Sequence, residues 1–134
     1  LSIIVILGVL LLIGTLPITA TDNNTTIRND TLFIEGLYAK EIPIASITHV
    51  DSNATVPDIE MRTNGMSLGE NNVGHFQTKE GKDVLLYLHS DDTNVTHIKT
   101  KNNEDIYINF KDSALSVDFP NQLKAVFRRP AKGK

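Results

Sequence analysis

The sequence predicts a mainly β protein: an N-terminal transmembrane helix, then a small antiparallel sandwich or barrel of about seven strands, then one C-terminal helix. Three observations support this class. Residues 1–20 are apolar and uncharged, and from Thr31 onward short apolar runs alternate with turn residues. After Phe110 the apolar residues follow a helical spacing instead. The 134 residues fit one small domain.

The predicted transmembrane helix occupies residues 1–20, of which 14 are apolar and none is charged. At 1.5 Å per residue such a helix is roughly 30 Å long, which matches the hydrocarbon thickness of a bilayer. The competing interpretation is a secretory signal, but Ile18-Thr19-Ala20 places Ile where a cleavage site needs a small residue. We therefore expect an uncleaved anchor and a location at the cell membrane.

The polar residues 21–30 lack apolar periodicity and are interpreted as a linker. Arg28 is the only Lys or Arg between the predicted helix and Lys40. Because Lys and Arg are enriched in cytoplasmic flanks, this scarcity favours an extracytoplasmic domain.

Seven apolar runs predict the strands, with Gly, Asn and Asp residues typical of tight turns between them. In the fifth run, Val84, Leu86 and Leu88 alternate with Leu85 and Tyr87, so this strand is expected to be central and covered on both faces. The runs are residues 31–34, 37–42, 46–51, 74–78, 83–89, 95–100 and 105–110.

Residues 57–73 are rich in Gly and Asn and form either an irregular connection or a strand pair broken at Asn64-Gly65. For the C-terminal helix we expect residues 117–127, because Pro120 is tolerated only in the first turn. Candidate N-caps are Asp112, Ser116 and Asp118. The predicted core contains Phe76, Leu86, Leu88, Ile108, Phe110 and Leu123.

Two glycine patterns invite a catalytic or phosphate-binding interpretation. Residues 65–69 match the G-x-S-x-G nucleophile elbow, but the chain is too short for the large parallel sheet that such an elbow needs. Gly65, Gly69 and Gly74 could approach an anion, yet no Gly-Lys-Ser/Thr ending follows them. We therefore predict no catalytic residues and no enzymatic activity.

A metal site is the other chemical candidate, built from His89, Asp91, Asp92 and His97. Zinc requires three or four converging ligands, and residues 91–94 have an ordinary turn composition. The chain contains no Cys, which excludes thiolate sites and disulfides. We predict no metal and no cofactor.

Charge is distributed unevenly along the chain. Residues 21–118 contain 8 basic and 16 acidic side chains, a net charge of −8, whereas residues 119–134 carry +5. An acidic domain repels phosphate backbones, so we expect no nucleic-acid partner. The basic tail, residues 128–134, could contact anionic lipid or be a solvated terminus.

Several segments carry a family resemblance: Gly36-Leu37-Tyr38, Arg62-Thr63-Asn64-Gly65 and Gly74-x-Phe76 within LFIEGLYAKEIPIASITHV and VPDIEMRTNGMSLGENNVGHF. Over residues 31–126 the chain resembles a bacterial PH-like (pleckstrin-homology-like) domain family often found behind an N-terminal membrane helix. The resemblance implies a bent barrel of about seven antiparallel strands, capped at one end by the C-terminal helix. It implies no enzymatic activity.

The combined expectation is a membrane-anchored, non-enzymatic module, with a PH-like domain at residues 31–127 that binds a protein partner or senses something at the membrane surface. Arg62, Asn64 and Gly65 are the predicted binding residues, because an Arg beside an Asn-Gly turn can reach a partner. Alternatively, Arg62 pairs with Glu60 or Glu70 to hold the loop. The second functional hypothesis is lipid or small-ligand binding through the barrel mouth or the basic tail.

Overall fold

The computed structural model describes residues 25–127, which form nine strands, a short 3-10 turn at Ile44–Ser46 and one helix. The predicted transmembrane segment and the basic tail lie outside the described residues. Within residues 25–127, no helix combines the length and the hydrophobicity needed to span a bilayer. The strands are β1 (Thr25–Arg28), β2 (Thr31–Ile34), β3 (Lys40–Pro43), β4 (Ile47–Asp51), β5 (Ile59–Leu68), β6 (Asn71–Thr78), β7 (Asp83–Leu88), β8 (Thr96–Thr100) and β9 (Asp105–Ile108); the helix α1 is Ser113–Phe127.

The first strand begins earlier than the sequence predicts. β1 pairs antiparallel with β2 through the turn at Asn29-Asp30, where both residues have a positive φ. Ile27 is buried in the core. The linker prediction for residues 21–30 is therefore wrong for residues 25–28, because a single apolar side chain is too weak a periodic signal to indicate a strand.

The strands form two sheets, a three-stranded sheet β1-β2-β3 and a six-stranded sheet β4-β8-β9-β7-β6-β5. β9 lies between β8 and β7 and runs parallel to β7. The prediction of an entirely antiparallel barrel is therefore wrong for the β7–β9 pair. The predicted number of about seven strands is also wrong, since the described residues form nine. The connection between β7 and β8 is long enough for the two strands to separate and accept β9 between them.

Residues 57–73 adopt the second of the two predicted alternatives, a strand pair. The turn lies at Gly69-Glu70, not at Asn64-Gly65, so β5 continues through the predicted break. Gly65 lies opposite Gly74 in the β5–β6 register. The two strands approach closely at this pair, because a Cβ on Gly74 would lie 2.6 Å from the Cα of Gly65.

Both faces of the six-stranded sheet are apolar, as predicted for β7. Leu85 and Tyr87 belong to the main core, which is shared with the three-stranded sheet and α1. Val84, Leu86 and Leu88 belong to a second cluster on the opposite face. All six predicted core residues are buried, and they divide between the two clusters: Ile108, Phe110 and Leu123 in the first, Phe76, Leu86 and Leu88 in the second.

The helix α1 begins at Ser113, four residues before its predicted start, with Pro120 inside it. The Asp112 carboxylate accepts the backbone N–H groups of Ala114 and Leu115, at 2.8 and 3.2 Å, and so caps the first turn. Pro120 cannot donate a backbone hydrogen bond, which destabilises the helix. The buried packing of Pro120 and the Asp112 cap offset this loss.

A buried carboxylate joins β8, β9 and the β6–β7 turn. Asp105 contacts the Lys82 ammonium and lies 2.7 Å from Nε2 of His97, with Nζ of Lys99 at 3.6 Å. Burial by itself raises the pKa of Asp105, but hydrogen bonds from Lys82 and His97 and the charges of Lys82 and Lys99 outweigh it. The pKa of Asp105 therefore lies below its ordinary value of 3.8.

Replacing Leu123 tests the main core. Leu123 is 0% exposed and contributes to the cluster between the two sheets and α1. Leu123→Ala should lower the free energy of unfolding by about 2–5 kcal/mol, because a cavity replaces the lost methyl groups. Urea denaturation of the full chain in mild detergent measures this. An unchanged midpoint would contradict the packing of α1 on the sheets.

Replacing Asp105 tests the buried carboxylate. Because its folded pKa is lowered, its stabilising contribution is present above pH 3.8 and is lost as the pH falls through the folded pKa. Asp105→Asn should therefore destabilise the domain by about 1–3 kcal/mol at pH 7, and by progressively less as the pH falls below 3.8. The control is Asp118→Asn, at an exposed helix position. An equal loss of unfolding free energy at pH 7 and at pH 3 would contradict the lowered pKa of Asp105.

Candidate functional site

A cleft of about 520 Å³ lies on the face of the six-stranded sheet that points away from the main core. Its floor is formed by Phe76 of β6 and by Leu86 and Leu88 of β7. Val56, Ile59 and Val95 complete the apolar lining. These side chains belong to the second apolar cluster, so the cleft exists because that cluster is only partly covered.

Two chain segments form the walls. On one side, the β5–β6 hairpin contributes Arg62, Ser67 and Asn72. On the other side, the β7–β8 connection contributes Ser90, Asp91 and Thr93. The rim of the cleft is therefore polar, whereas its floor is apolar.

A crossing segment between β4 and β5 passes over the same face of the sheet. The backbone N–H of Ala54 donates to the carbonyl of Val95 at 2.8 Å, and that of Lys79 donates to the carbonyl of Asp58 at 3.0 Å. These bonds attach one end of the segment beside the start of β8 and the other end beside the end of β6. Val56 and Ile59 thereby reach the cleft lining.

Buried polar side chains fix the β7–β8 wall. Asn109 is buried; its Oδ1 accepts the backbone N–H of His89 at 2.8 Å, and its Nδ2 donates to the carbonyl of Ser90 at 2.9 Å. The hydroxyl of Thr93 donates to the carbonyl of Phe110 at 2.7 Å. Because these partners lie in the protein interior, the wall is held in one position relative to the floor.

The tip of the β5–β6 hairpin contacts the opposite wall. The Glu70 carboxylate accepts the backbone N–H of Asp91 at 2.9 Å. Nδ1 of His89 lies 3.0 Å from Oδ1 of Asn71. The two walls are thus joined at the end of the cleft nearest the turn at Gly69-Glu70.

Of the three predicted binding residues, Arg62 alone lines the cleft. It lies opposite Phe76 in the β5–β6 register and is exposed. Among residues 25–127, no salt bridge joins Arg62 to Glu60 or Glu70, and Glu70 instead caps the β7–β8 wall. The alternative, in which Arg62 pairs with Glu60 or Glu70 to hold the loop, is therefore not observed.

Asn64 and Gly65 do not line the cleft. Asn64 is exposed on β5 where the register with β6 shifts, between Arg62 and Asn64. A Cβ on Gly65 would lie 2.8 Å from the carbonyl oxygen of Val73. The geometry therefore gives Gly65 a structural part in the close approach of the two strands.

The strand β5 forms an uncovered edge of the six-stranded sheet. It is ten residues long, and its only extensive contacts with another strand or helix of the described chain are with β6. The other edge strand, β4, packs against α1. Met61, Met66 and Leu68 are exposed apolar residues on β5. Among the described strands, only β6 pairs with β5, and the other edge of β5 therefore suits the addition of another strand.

The residues of the nucleophile-elbow pattern and of the candidate metal cluster have other partners. Ser67 lies on a strand that turns directly into β6, and its hydroxyl donates to Oδ1 of Asn72 at 2.8 Å. No helix follows Ser67, so an elbow is not formed. His97 contacts Asp105, whereas His89 contacts Asn71. Within residues 25–127, no group of three His, Asp or Glu is arranged to hold a metal ion.

A smaller pocket of about 150 Å³ lies beside the β2–β3 turn, at the end of the structure that corresponds to the predicted barrel mouth. Tyr38, Met66 and Tyr87 line it, and Leu37 at its rim is 85% exposed. The Tyr87 hydroxyl donates to the carbonyl of Tyr38 at 2.7 Å. Burial and the charge of Glu104 raise the pKa of Tyr87 to about 12, so its phenol stays neutral at physiological pH.

Neither the cleft nor the buried position of Asn109 was predicted from the sequence. The available signal was the double-sided apolar pattern of β7, which predicts two covered faces but not how completely each is covered. Asn109 carried a weaker signal, since an Asn within an apolar run requires buried hydrogen-bond partners.

The family comparison agrees with this architecture. A family model described as "Bacterial PH domain" matches residues 19–123. Searches of curated proteins and of solved structures returned no significant match. The matched region includes all nine strands and most of α1. The chain therefore belongs to the bacterial PH domain family.

Proposed function

We propose that this chain is a membrane-anchored, non-enzymatic module that binds a protein partner, and that the free edge of β5 accepts an extended segment of that partner. Membership of the bacterial PH domain family supports a binding or interaction module. The uncovered edge of β5 is the observation that carries the more specific proposal.

Several features of β5 favour an added strand. The strand is long enough for a continuous hydrogen-bonded ladder, and α1 packs at the opposite end of the sheet, against β4 and β8. Met61, Met66 and Leu68 provide exposed apolar contacts beside the ladder. In this mode, main-chain hydrogen bonds supply affinity and neighbouring side chains supply specificity.

The membrane anchor is proposed from the sequence of residues 1–20. The described domain begins at Thr25, so only a few residues separate the two. Such a short connection would keep β5 near the membrane surface, where a membrane-protein partner is accessible. Lipid or small-ligand binding through the mouth or the basic tail is the second hypothesis; the mouth pocket is small, and the tail lies outside the described residues.

Met61→Lys tests strand addition. Met61 is 51% exposed on β5, and a Lys on an edge strand opposes pairing with another chain. Capture from crosslinked native membranes, with the tagged full chain as bait, should recover a reproducible partner that Met61→Lys reduces at least tenfold. Val117→Lys is the matched control, because Val117 is 47% exposed on α1 and receives the same charge.

Partner recovery that is equal with Met61→Lys and wild type would contradict the β5 proposal. Loss with Val117→Lys instead would place the contact on α1. Arg62→Ala and Asn64→Ala, tested separately, distinguish contacts at the cleft rim from contacts along the exposed strand.

Alkaline carbonate extraction tests the anchor. The full chain should stay in the membrane pellet, whereas the double variant Leu11→Arg, Leu12→Arg should be released, because each Arg costs about 2.5–3.5 kcal/mol near the centre of a spanning helix. The control Leu11→Ile, Leu12→Ile should behave as wild type. Release of the wild-type chain by carbonate would contradict integral anchoring.

A further inference from the structure

We propose that the cleft on the outer face of the six-stranded sheet binds a single-chain amphiphile with an anionic head group, of the class of long-chain carboxylates. This inference goes beyond the proposed function, because a strand added along the edge of β5 does not require the cleft to be occupied. The apolar floor would take the chain, and Arg62 would take the head group.

The floor has the chemistry of an acyl-chain site. Phe76, Leu86 and Leu88 form its base, and Val56 and Val95 lie on its sides. None of these side chains offers a hydrogen-bond donor or acceptor. The favourable occupant is therefore a hydrocarbon chain, whose transfer from water contributes free energy for each buried CH₂ group.

Arg62 determines the charge of the head group. Among the described residues that line the cleft, it is the only cation. The guanidinium has no salt-bridge partner within residues 25–127. A carboxylate matches the paired N–H groups of Arg, which gives a bidentate contact.

Asp91 indicates the direction of the bound chain. It lines the cleft near the hairpin tip, where Glu70 accepts its backbone N–H. Arg62 lies five residues before Ser67 on β5, about 16 Å along an extended strand. The acidic end disfavours an anion, so the head group is expected at Arg62 and the chain is expected to point towards Ser67.

The dimensions fit this class of ligand. A cleft of about 520 Å³ falls within the range of small-molecule sites, which are typically about 300–1,000 Å³. Ser67, Asn72, Ser90 and Thr93 provide neutral polar groups along the rim. Asn109 and Thr93 fix one wall through hydrogen bonds to the carbonyls of Ser90 and Phe110, so this wall is formed before a ligand arrives.

The test uses the full chain in mild detergent and a dodecanoic acid that carries a photoreactive diazirine near the end of its chain. After irradiation, peptide mapping locates the adducts. They should occur on the residues that line the far end of the cleft from Arg62, which are Ser67, Asn72 and the segment 90–95. Unlabelled carboxylates of 8 to 14 carbons then compete, and the apparent affinity should rise about fourfold for each added CH₂ until the cleft is filled. Dodecanol should compete less well than dodecanoate.

Two variants separate this site from non-specific binding. Arg62→Gln should weaken dodecanoate about tenfold, because a hydrogen bond to a charged group is lost, and should leave dodecanol unchanged. Arg28→Gln is the matched control, since Arg28 is exposed on β1 and stacks on Phe33, away from the cleft. Ser67→Trp places a large side chain at the cleft rim and should reduce labelling in the cleft.

Adducts confined to residues 1–20 would overturn the proposal, because they would show partition into the predicted membrane segment alone. Equal competition by dodecanol, or labelling unaffected by both Arg62→Gln and Ser67→Trp, would also overturn it. These outcomes do not depend on a protein partner. The response of partner capture to Met61→Lys reports separately on the β5 edge.

Discussion

The structure depends on one constraint: the six-stranded sheet has two apolar faces, and both must be removed from water. The three-stranded sheet and α1 cover most of the first face, around Ile98, Ile106 and Phe110, and leave the small mouth pocket beside Tyr87. Among the described residues, the β5–β6 hairpin and the segment between β4 and β5 cover part of the second face. The cleft is the part of that face which these elements leave accessible.

Buried polar groups then decide the shape of the cleft. Asn109 holds the connection between β7 and β8, and Ser116 of α1 accepts the backbone N–H of Phe110 at 2.9 Å. These groups tie a loop, a strand and a helix into one hydrogen-bonded unit. An unpaired Asn109 amide would be costly in this interior, so the wall cannot move far without losing stability.

The two edges of the large sheet differ for a related reason. α1 packs over β4, since its Phe119 and Leu123 fill the main core, and no described element covers β5 in the same way. An edge strand without a neighbour can pair with an extended segment, and for this reason the proposed contact lies at β5. The cleft opens beside the same strand, which places a side-chain site and a backbone site next to each other.

The sequence by itself determined the mainly β class, the family resemblance, the double-sided character of β7 and the burial of residues such as Phe76 and Leu123, because apolar periodicity reports which faces need cover. It also singled out Arg62, which the structure places at the cleft. Only the tertiary structure decided that β9 lies parallel to β7, that α1 begins at Ser113, about one turn before the predicted start, and that the second face stays partly open. These features depend on pairing and packing between residues far apart in the chain, and local patterns carry no information about which distant segments become neighbours.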